Sequence, residues 1–286
     1  MPTDPETNLI ENLTIPPRPE VLTLINRERQ EEYPNIKKIS DAIGQDVSLS
    51  AAVFQIINSP ALRLSKTITS IHQAVNLLGI ERVERVVTIV SMRQSVTGNL
   101  NLGRFWDSAA EVANLASQLT DKLTGVNVDD AYTLGLFHNC GIPLMMQAFD
   151  DYKNTLIEMN ETDLYPVTQI EQKRYGITHT KLSYMLLKKW HMPMHIAKAA
   201  YFHLYRFSDL VSQNQLDGDA LSLIAILKMA ENISDSYRKS MRATENKNEW
   251  EQTKDDIFLF LGIDDHDYIE IKEDMLEWLD RNWDEQ

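Results

Sequence analysis

The chain has 286 residues, 43% hydrophobic and 24% charged, which is enough to bury a sizeable core in one large or two modest domains. Its formal net charge of −14 argues against a nucleic-acid backbone as main partner, since affinity there comes largely from Lys and Arg displacing counterions. The single cysteine, Cys140, excludes an internal disulfide framework.

No run approaches the ~18 to 20 apolar residues that span a bilayer. Met1 to Glu6 lacks the basic flank and apolar core of a secretory signal, so a cytoplasmic protein is expected. The charge is uneven. Residues Glu249 to Gln286 hold 14 acidic and 3 basic residues, net −11, while the remainder holds 28 acidic and 25 basic, net −3.

Residues 1–14 are polar and offer no apolar face. Ile15-Pro16-Pro17-Arg18-Pro19 bars a helix before Glu20. Val21, Leu22, Leu24 and Ile25 then open a helical pattern that Ile36, Ile39 and Ile43 continue as far as Gly44. Ser48 or Ser50 is expected to cap a helix carrying Val53, Phe54, Ile56 and Ile57, ended by Asn58-Ser59-Pro60. Ser70 caps the next, with Ile71, Ala74, Val75 and Leu78 on one face and Gly79 as its stop. Val83, Val86, Val87 and Val90 form a further apolar face, with Glu81, Arg82, Glu84 and Arg85 turned outward. His72 reads as a surface or half-buried structural histidine. The stretch Gly98 to Gly103 reads as a linker, dividing a helical subdomain at 15–100 from a second at 101–240.

Phe105 to Leu123 is helical, and the small residues Ala109, Ala113 and Ala116 on its apolar side imply close packing. Asp129 or Asp130 is expected to cap a helix whose Ala131, Leu134 and Phe137 carry His138 to the interior at the C-terminal end. Gly141 permits the turn that follows, and Pro143 suits the first turn of a short helix. Met145, Met146 and Phe149 read as core. Tyr152 to Met159 is a further helix, and Tyr165-Pro166 opens another that runs to Gly176. Thr178 caps a helix from His179 to Trp190, which His191-Met192-Pro193 breaks before Met194 to Tyr205. Ser208 to Gly218 reads as a polar loop, Leu221 to Tyr237 as an apolar helix, and Lys239 to Glu249 as a linker. Residues 241–286 form an acidic extension of two amphipathic helices. With no alternating strand pattern and no repeat of roughly 20 to 50 residues, the expected class is all-α: two packed helical bundles with a short helical C-terminal extension.

Several motifs recur at a familiar spacing. They are Asn58-Ser59-Pro60-Ala61-Leu62, Ile68 to Leu78 leading to Gly79-Ile80-Glu81-Arg82-Val83, Phe105-Trp106, Ala131 to Leu144, Tyr175-Gly176-Ile177-Thr178-His179, and Trp190-His191-Met192-Pro193 leading to His203. In this order, from about Ile15 to Tyr205, they resemble the HDOD domain, the HD-related output domain of bacterial signalling proteins. The resemblance implies kinship with HD phosphohydrolases, where histidines and aspartates from separate helices hold metal ions that activate a water against a phosphoester.

Matched position by position, the superfamily's first histidine falls on Ser108 and its His-Asp doublet on His138 and Asn139. Two further histidine positions fall on His179 and His203, and the late aspartate on Glu231. Asn139 substitutes a neutral carboxamide, a poor ligand, for a charged bridging one, and Ser108 removes another ligand. The implied site is a vestigial pocket of Ser108, His138, Asn139, His179, His203 and Glu231. In it the histidines are neutral and hydrogen-bonded, with Ser108 and Asn139 as partners. No cofactor is expected; a single divalent metal, if bound, would sit on His138, His179 and His203. The pocket has the character to admit a small ligand or anion. Cys140 reads as a buried thiol without a redox role, and His191 and His195 as solvent-facing.

The expected function is a non-catalytic signalling module that recognises partner signalling proteins through helix faces or the acidic extension. The alternative is a metal-dependent phosphohydrolase or cyclic-dinucleotide phosphodiesterase with a reduced ligand set. No Gly-rich phosphate loop, Gly-x-Ser-x-Gly elbow or dinucleotide fingerprint competes with these readings.

Overall fold

Apolar residues at three- and four-residue spacing become helix throughout. The computed structural model describes residues 15–58, 67–123, 125–161, 166–241 and 249–283, and every regular element among them is α-helical. None of these helices is long and apolar enough to cross a membrane. Expectations for residues 1–14, Ser59 to Leu62, Tyr165 and most of the Lys239 to Glu249 stretch lie outside the described residues.

Two compact units emerge, Pro16–Asn101 and a second that contains Leu102–Gln286. In the first, the helices are α1 (Glu20–Gln30), α2 (Ile36–Gly44), α3 (Val47–Ile57), α4 (Ile71–Leu78) and α5 (Ile80–Thr97). Helix α5 packs against α1, α3 and α4, and its Val83, Val87, Met92 and Val96 meet a core that includes Leu22, Ile25, Ile39, Ile43, Val53 and Ile57. Ser70 caps α4 by accepting from the Gln73 amide, and Gly79 ends it at φ 84°, a left-handed angle that a side chain resists.

The cap of α3 is Asp46, which accepts from the Leu49 amide, and not Ser48 or Ser50. Asp46 stands one residue before the first helical position, where a carboxylate also faces the positive end of the helix. Glu84 departs further from expectation. It is buried, because Arg18 at 2.9 Å and Arg29 at 3.4 Å bring positive charge over it.

The second unit holds α6 (Gly103–Leu119), α7 (Val128–Phe137), α8 (Gly141–Ala148), α9 (Tyr152–Glu161), α10 (Thr168–Tyr175) and α11 (His179–Lys189). It continues with α12 (Met194–Phe202), α13 (Phe207–Gln213), α14 (Gly218–Met241), α15 (Glu249–Leu261) and α16 (Asp265–Trp283). Helix α7 lies against α6, α12 and α14, and every residue from Ala131 to His138 is buried. Its cap is Asn127, whose side chain accepts from the amides of Asp129 and Asp130; those two acids occupy the first turn, where they favour the helix dipole. Helix α13 replaces the first part of the expected polar loop, up to Gln213. Phe207 and Leu210, one turn apart, anchor it in an otherwise polar stretch.

The acidic helices belong to the same unit. Trp250, Phe258 and Tyr268 cluster with ring centroids 4.9 to 5.7 Å apart, and the Tyr268 hydroxyl donates to Asn232 Oδ1 of α14 at 2.6 Å.

Two glycines set how closely the helices approach. A Cβ on Gly135 would lie 2.5 Å from Ala113 Cα, so α6 and α7 touch backbone to backbone. At Gly141, a Cβ would overlap the His179 carbonyl oxygen and stand 2.9 Å from Ser183 N. Gly141 is therefore required for close approach of α8 to α11, where the sequence suggested an unusual turn. Gly141→Ala is expected to cost about 1–3 kcal/mol or more in urea unfolding, because backbone must move to admit the methyl. A change within about 0.5 kcal/mol would contradict the contact.

Candidate functional site

A helix ending inside a protein leaves its last carbonyls without partners. His138 follows the last residue of α7, and its Nδ1 donates to the Gly135 carbonyl at 2.8 Å. His203 stands at the same position after α12, with Nδ1 donating to the Ala200 carbonyl at 3.0 Å. The same short-range bond fixes both rings and turns both Nε2 atoms to the space between α7, α12 and α14. The two rings meet edge to face, centroids 5.2 Å apart.

Glu231 enters from α14, with Oε1 3.2 Å from His138 Nε2. The histidines are 4% and 0% exposed, whereas the Glu231 side chain keeps 32% of its surface. The cluster opens to solvent on the carboxylate side. His203 Nε2 is buried and accepts no hydrogen bond among the described residues. Burial, with His138 beside it, pushes His203 well below its ordinary titration range and keeps it neutral. Burial works in the opposite sense on Glu231, but the hydrogen bond and charge of His138, joined by His203 and Lys228, hold its carboxyl at about 2.

His179 is placed by a different device. It is the first residue of α11, which Thr178 caps, and its Nδ1 lies 2.8 and 2.9 Å from the Glu171 carboxylate oxygens. Glu171 is fully buried on α10; it also accepts from the His179 amide at 3.2 Å and from the Tyr152 hydroxyl. Burial, with Glu171 alongside, raises the Tyr152 hydroxyl far above its ordinary range, so it remains a donor. The His179 ring lies 6.4 Å from that of His203.

The groups that converge are thus His138, His203 and Glu231, with ligand atoms all within 4.8 Å of one another. This differs from the expected set of three histidines: Glu231 takes the third place, and His179, whose Nδ1 faces Glu171, lies outside the group. Asn139 is half-buried and its Oδ1 has no hydrogen-bond partner among the described residues, so it does not join the histidines as expected. Ser108 lies half-buried on α6. His195 is not simply solvent-facing: its Nε2 is 2.8 Å from Asp130. His191 is exposed.

Glu171 and Tyr152 were invisible to sequence reasoning, since nothing in Ile170-Glu171-Gln172 marks one polar residue as buried. Lys228 left a signal: a lone cation inside the apolar run Leu221 to Ile233. It is buried one turn before Glu231.

The donors fit one divalent ion. With Nδ1 on a carbonyl and Nε2 on a carboxylate, both His138 nitrogens face acceptors. That arrangement is completed by a second ring proton or by a cation between Nε2 and Glu231. The orphaned His203 Nε2 points the same way, and the backbone bonds on both Nδ1 atoms are the outer support that histidine ligands receive. His138, His203 and Glu231 would hold such an ion, which when bound supplies Lewis acidity.

Two outcomes follow from the electrostatics. Glu231 is held at about 2 against an ordinary 4.5, so its contribution to stability is full above about pH 4.5 and is lost as pH falls through about 2. Glu231→Gln is expected to weaken the protein at neutral pH, with variant and parent converging in urea titrations as pH approaches 2; parallel curves would contradict the pairing. Burial pushes the Cys140 thiol up to about 12. A disulfide reagent at about pH 8 should therefore react only on unfolding, and rapid native-state labelling would show the site to be open.

The comparisons with known proteins agree with this geometry at the level of fold. The structure superposes on a Geobacter sulfurreducens HDOD domain protein of unknown function with a TM-score of 0.63 and 18% identity, covering 98% of this chain and 94% of that one. It superposes also on a Shewanella amazonensis SB2B protein whose name offers phosphohydrolase only as a supposed activity. There the TM-score is 0.66 and the identity 19%, over 96% and 94% of the two chains. At such identities the likeness speaks for fold alone. The uncharacterized protein YuxH of Bacillus subtilis (strain 168) is 41% identical over 66 residues, which is 23% of this chain and only 16% of YuxH. The HDOD domain model matches residues 15–205, two thirds of the sequence, and the chain belongs to the HDOD family.

Proposed function

We propose that this chain is a non-catalytic regulatory module of signal transduction, acting through recognition of partner proteins. The observation that carries the reading is the burial of the histidines: His138, His179 and His203 are 4%, 2% and 0% exposed. Phosphoester hydrolysis needs the substrate's phosphorus beside the activated water. Here the ring edges that would hold a metal are buried, only the Glu231 side of the cluster reaches solvent, and the doublet position that would bridge two metals is the carboxamide Asn139. The polar cluster then serves as an internal tie between three helices. Recognition falls to the outer helix faces, where Leu259 is 84% exposed on the acidic helix α15.

A second reading, a hydrolase with one divalent ion, is favoured by the convergence of His138, His203 and Glu231 and by the orphaned His203 Nε2. The two separate in one assay. The full chain, loaded in turn with manganese, iron and zinc, is expected to hydrolyse bis(p-nitrophenyl) phosphate no faster than His138→Ala treated alike. Metal-dependent turnover that disappears in both His138→Ala and Glu231→Gln would overturn the proposal.

A further inference from the structure

Charge is unevenly placed within the second unit. From Pro166 to Ser208 the sequence holds 7 basic residues and 1 acid, the buried Glu171, net +6, in a chain of net −14. On α11, Lys181, Tyr184 and Lys188 recur at i, i+3 and i+7, one line along the helix. Lys181 enters no ion pair among the described residues, and Lys188 lies over the Tyr184 ring, 5.9 Å from its centroid. Tyr184 stands 5.8 Å from Tyr201 of α12, which lies 4.7 Å from Phe202 and 6.2 Å from Tyr205. These four rings are half-buried, and the exposed Met194 brings its sulfur to 4.0 Å from the Tyr184 hydroxyl. The result is a ring-lined surface flanked by lysines that face no carboxylate.

The chain carries a matching surface elsewhere. On α15, Glu251, Asp255 and Leu259 stand four residues apart in one exposed line, and on α16 Ile269, Glu273 and Glu277 do the same. Leu259 is 84% and Ile269 55% exposed. Each follows a member of the Phe258–Tyr268 ring pair, so both stand near the turn that joins the two helices. Asp255 and Glu273 enter no ion pair among the described residues. Within its own chain the hairpin packs on α6, α13 and α14, and none of its described acids pairs with Lys181 or Lys188.

We propose that the tip of this acidic hairpin docks on the α11–α12 face of a second copy of the chain. Leu259 and Ile269 cover the rings of Tyr184 and Tyr201, and the acids behind them face Lys181 and Lys188. The two patches differ, so the contact is heterologous: each copy offers one of each, and association runs head to tail. At about 0.15 M salt the mutual repulsion of two chains of net −14 is screened beyond roughly 8 Å, which leaves the opposed charges at the contact to act. A single-stranded nucleic acid would find the same lysines but meet the acidity of the whole chain. Docking of this kind presupposes that recognition falls to outer helix faces, a reading that the hydrolysis assay tests independently.

The test is sedimentation velocity of the full chain from about 10 to about 300 µM. The average mass is expected to rise with concentration past that of a dimer. Lys181→Glu/Lys188→Glu removes the receiving face, and Leu259→Ser/Ile269→Ser removes the docking tip; each variant alone is expected to associate about tenfold or more weakly than the parent. Mixed in equal amounts, the two form a 1:1 complex that grows no further, because together they retain one usable pair of patches. All four positions are exposed, and unchanged thermal unfolding checks that the variants remain folded. A parent that stays monomeric throughout, a variant that associates like the parent, absence of the mixed complex, or tighter binding of a short oligothymidylate than of a second copy would each overturn the proposal.

Discussion

Close approach of backbone to backbone is the constraint on which the rest of this unit depends. Helices normally stand 8–10 Å apart because side chains keep them there. At Gly135 and Gly141 that spacing collapses, so α6 sits on α7 and α8 on α11 with no side chain between them. The ends of α7 and α11 are thereby drawn inward, together with the histidines they carry. Polar groups brought so deep must find partners. His138 and His203 find them in the last carbonyls of their own helices, and His179 in a carboxylate that is itself fully enclosed.

The two carboxylates near these rings behave differently because their surroundings differ. Glu171 is sealed and surrounded by donors: the Tyr152 hydroxyl, the His179 amide and the His179 ring. Its role is orientation of a ring. Glu231 keeps a solvent-facing side and answers a single imidazole edge, with Lys228 one turn away. That openness separates a group able to accept an ion from one that serves only as scaffold.

Much of the fold was legible because helix signals are local. Ser70 and Thr178 cap where their positions before apolar runs imply, and Gly79 and Gly176 stop helices at positive φ. The position-by-position match also placed His138, His203 and Glu231 in one cluster, although no short motif joins them. What escaped was decided by tertiary contact. Caps shifted by a few residues, to Asp46 and Asn127, because several polar residues in a row can each play the part. Glu84 looked like a surface residue until Arg18, 66 positions away, covered it. Gly141 was given the wrong reason, since a sequence shows that a side chain is missing but not which neighbour excludes it. The pairing of Glu171 with the His179 ring was hidden too, because eight residues of separation across a helix break conceal it.

Helix α14 meets two different demands at adjacent residues. Glu231 faces the imidazole of His138, and Asn232, the next residue, accepts the Tyr268 hydroxyl from the acidic helix α16. Neighbouring residues on a helix point about 100° apart, so one turn is gripped from two sides at once. A small roll of α14 about its own axis cannot leave one grip intact while relaxing the other. The outer acidic helix and the histidine cluster are thus held to one another through a single turn of α14, the tyrosine hydroxyl on one side and the imidazole on the other.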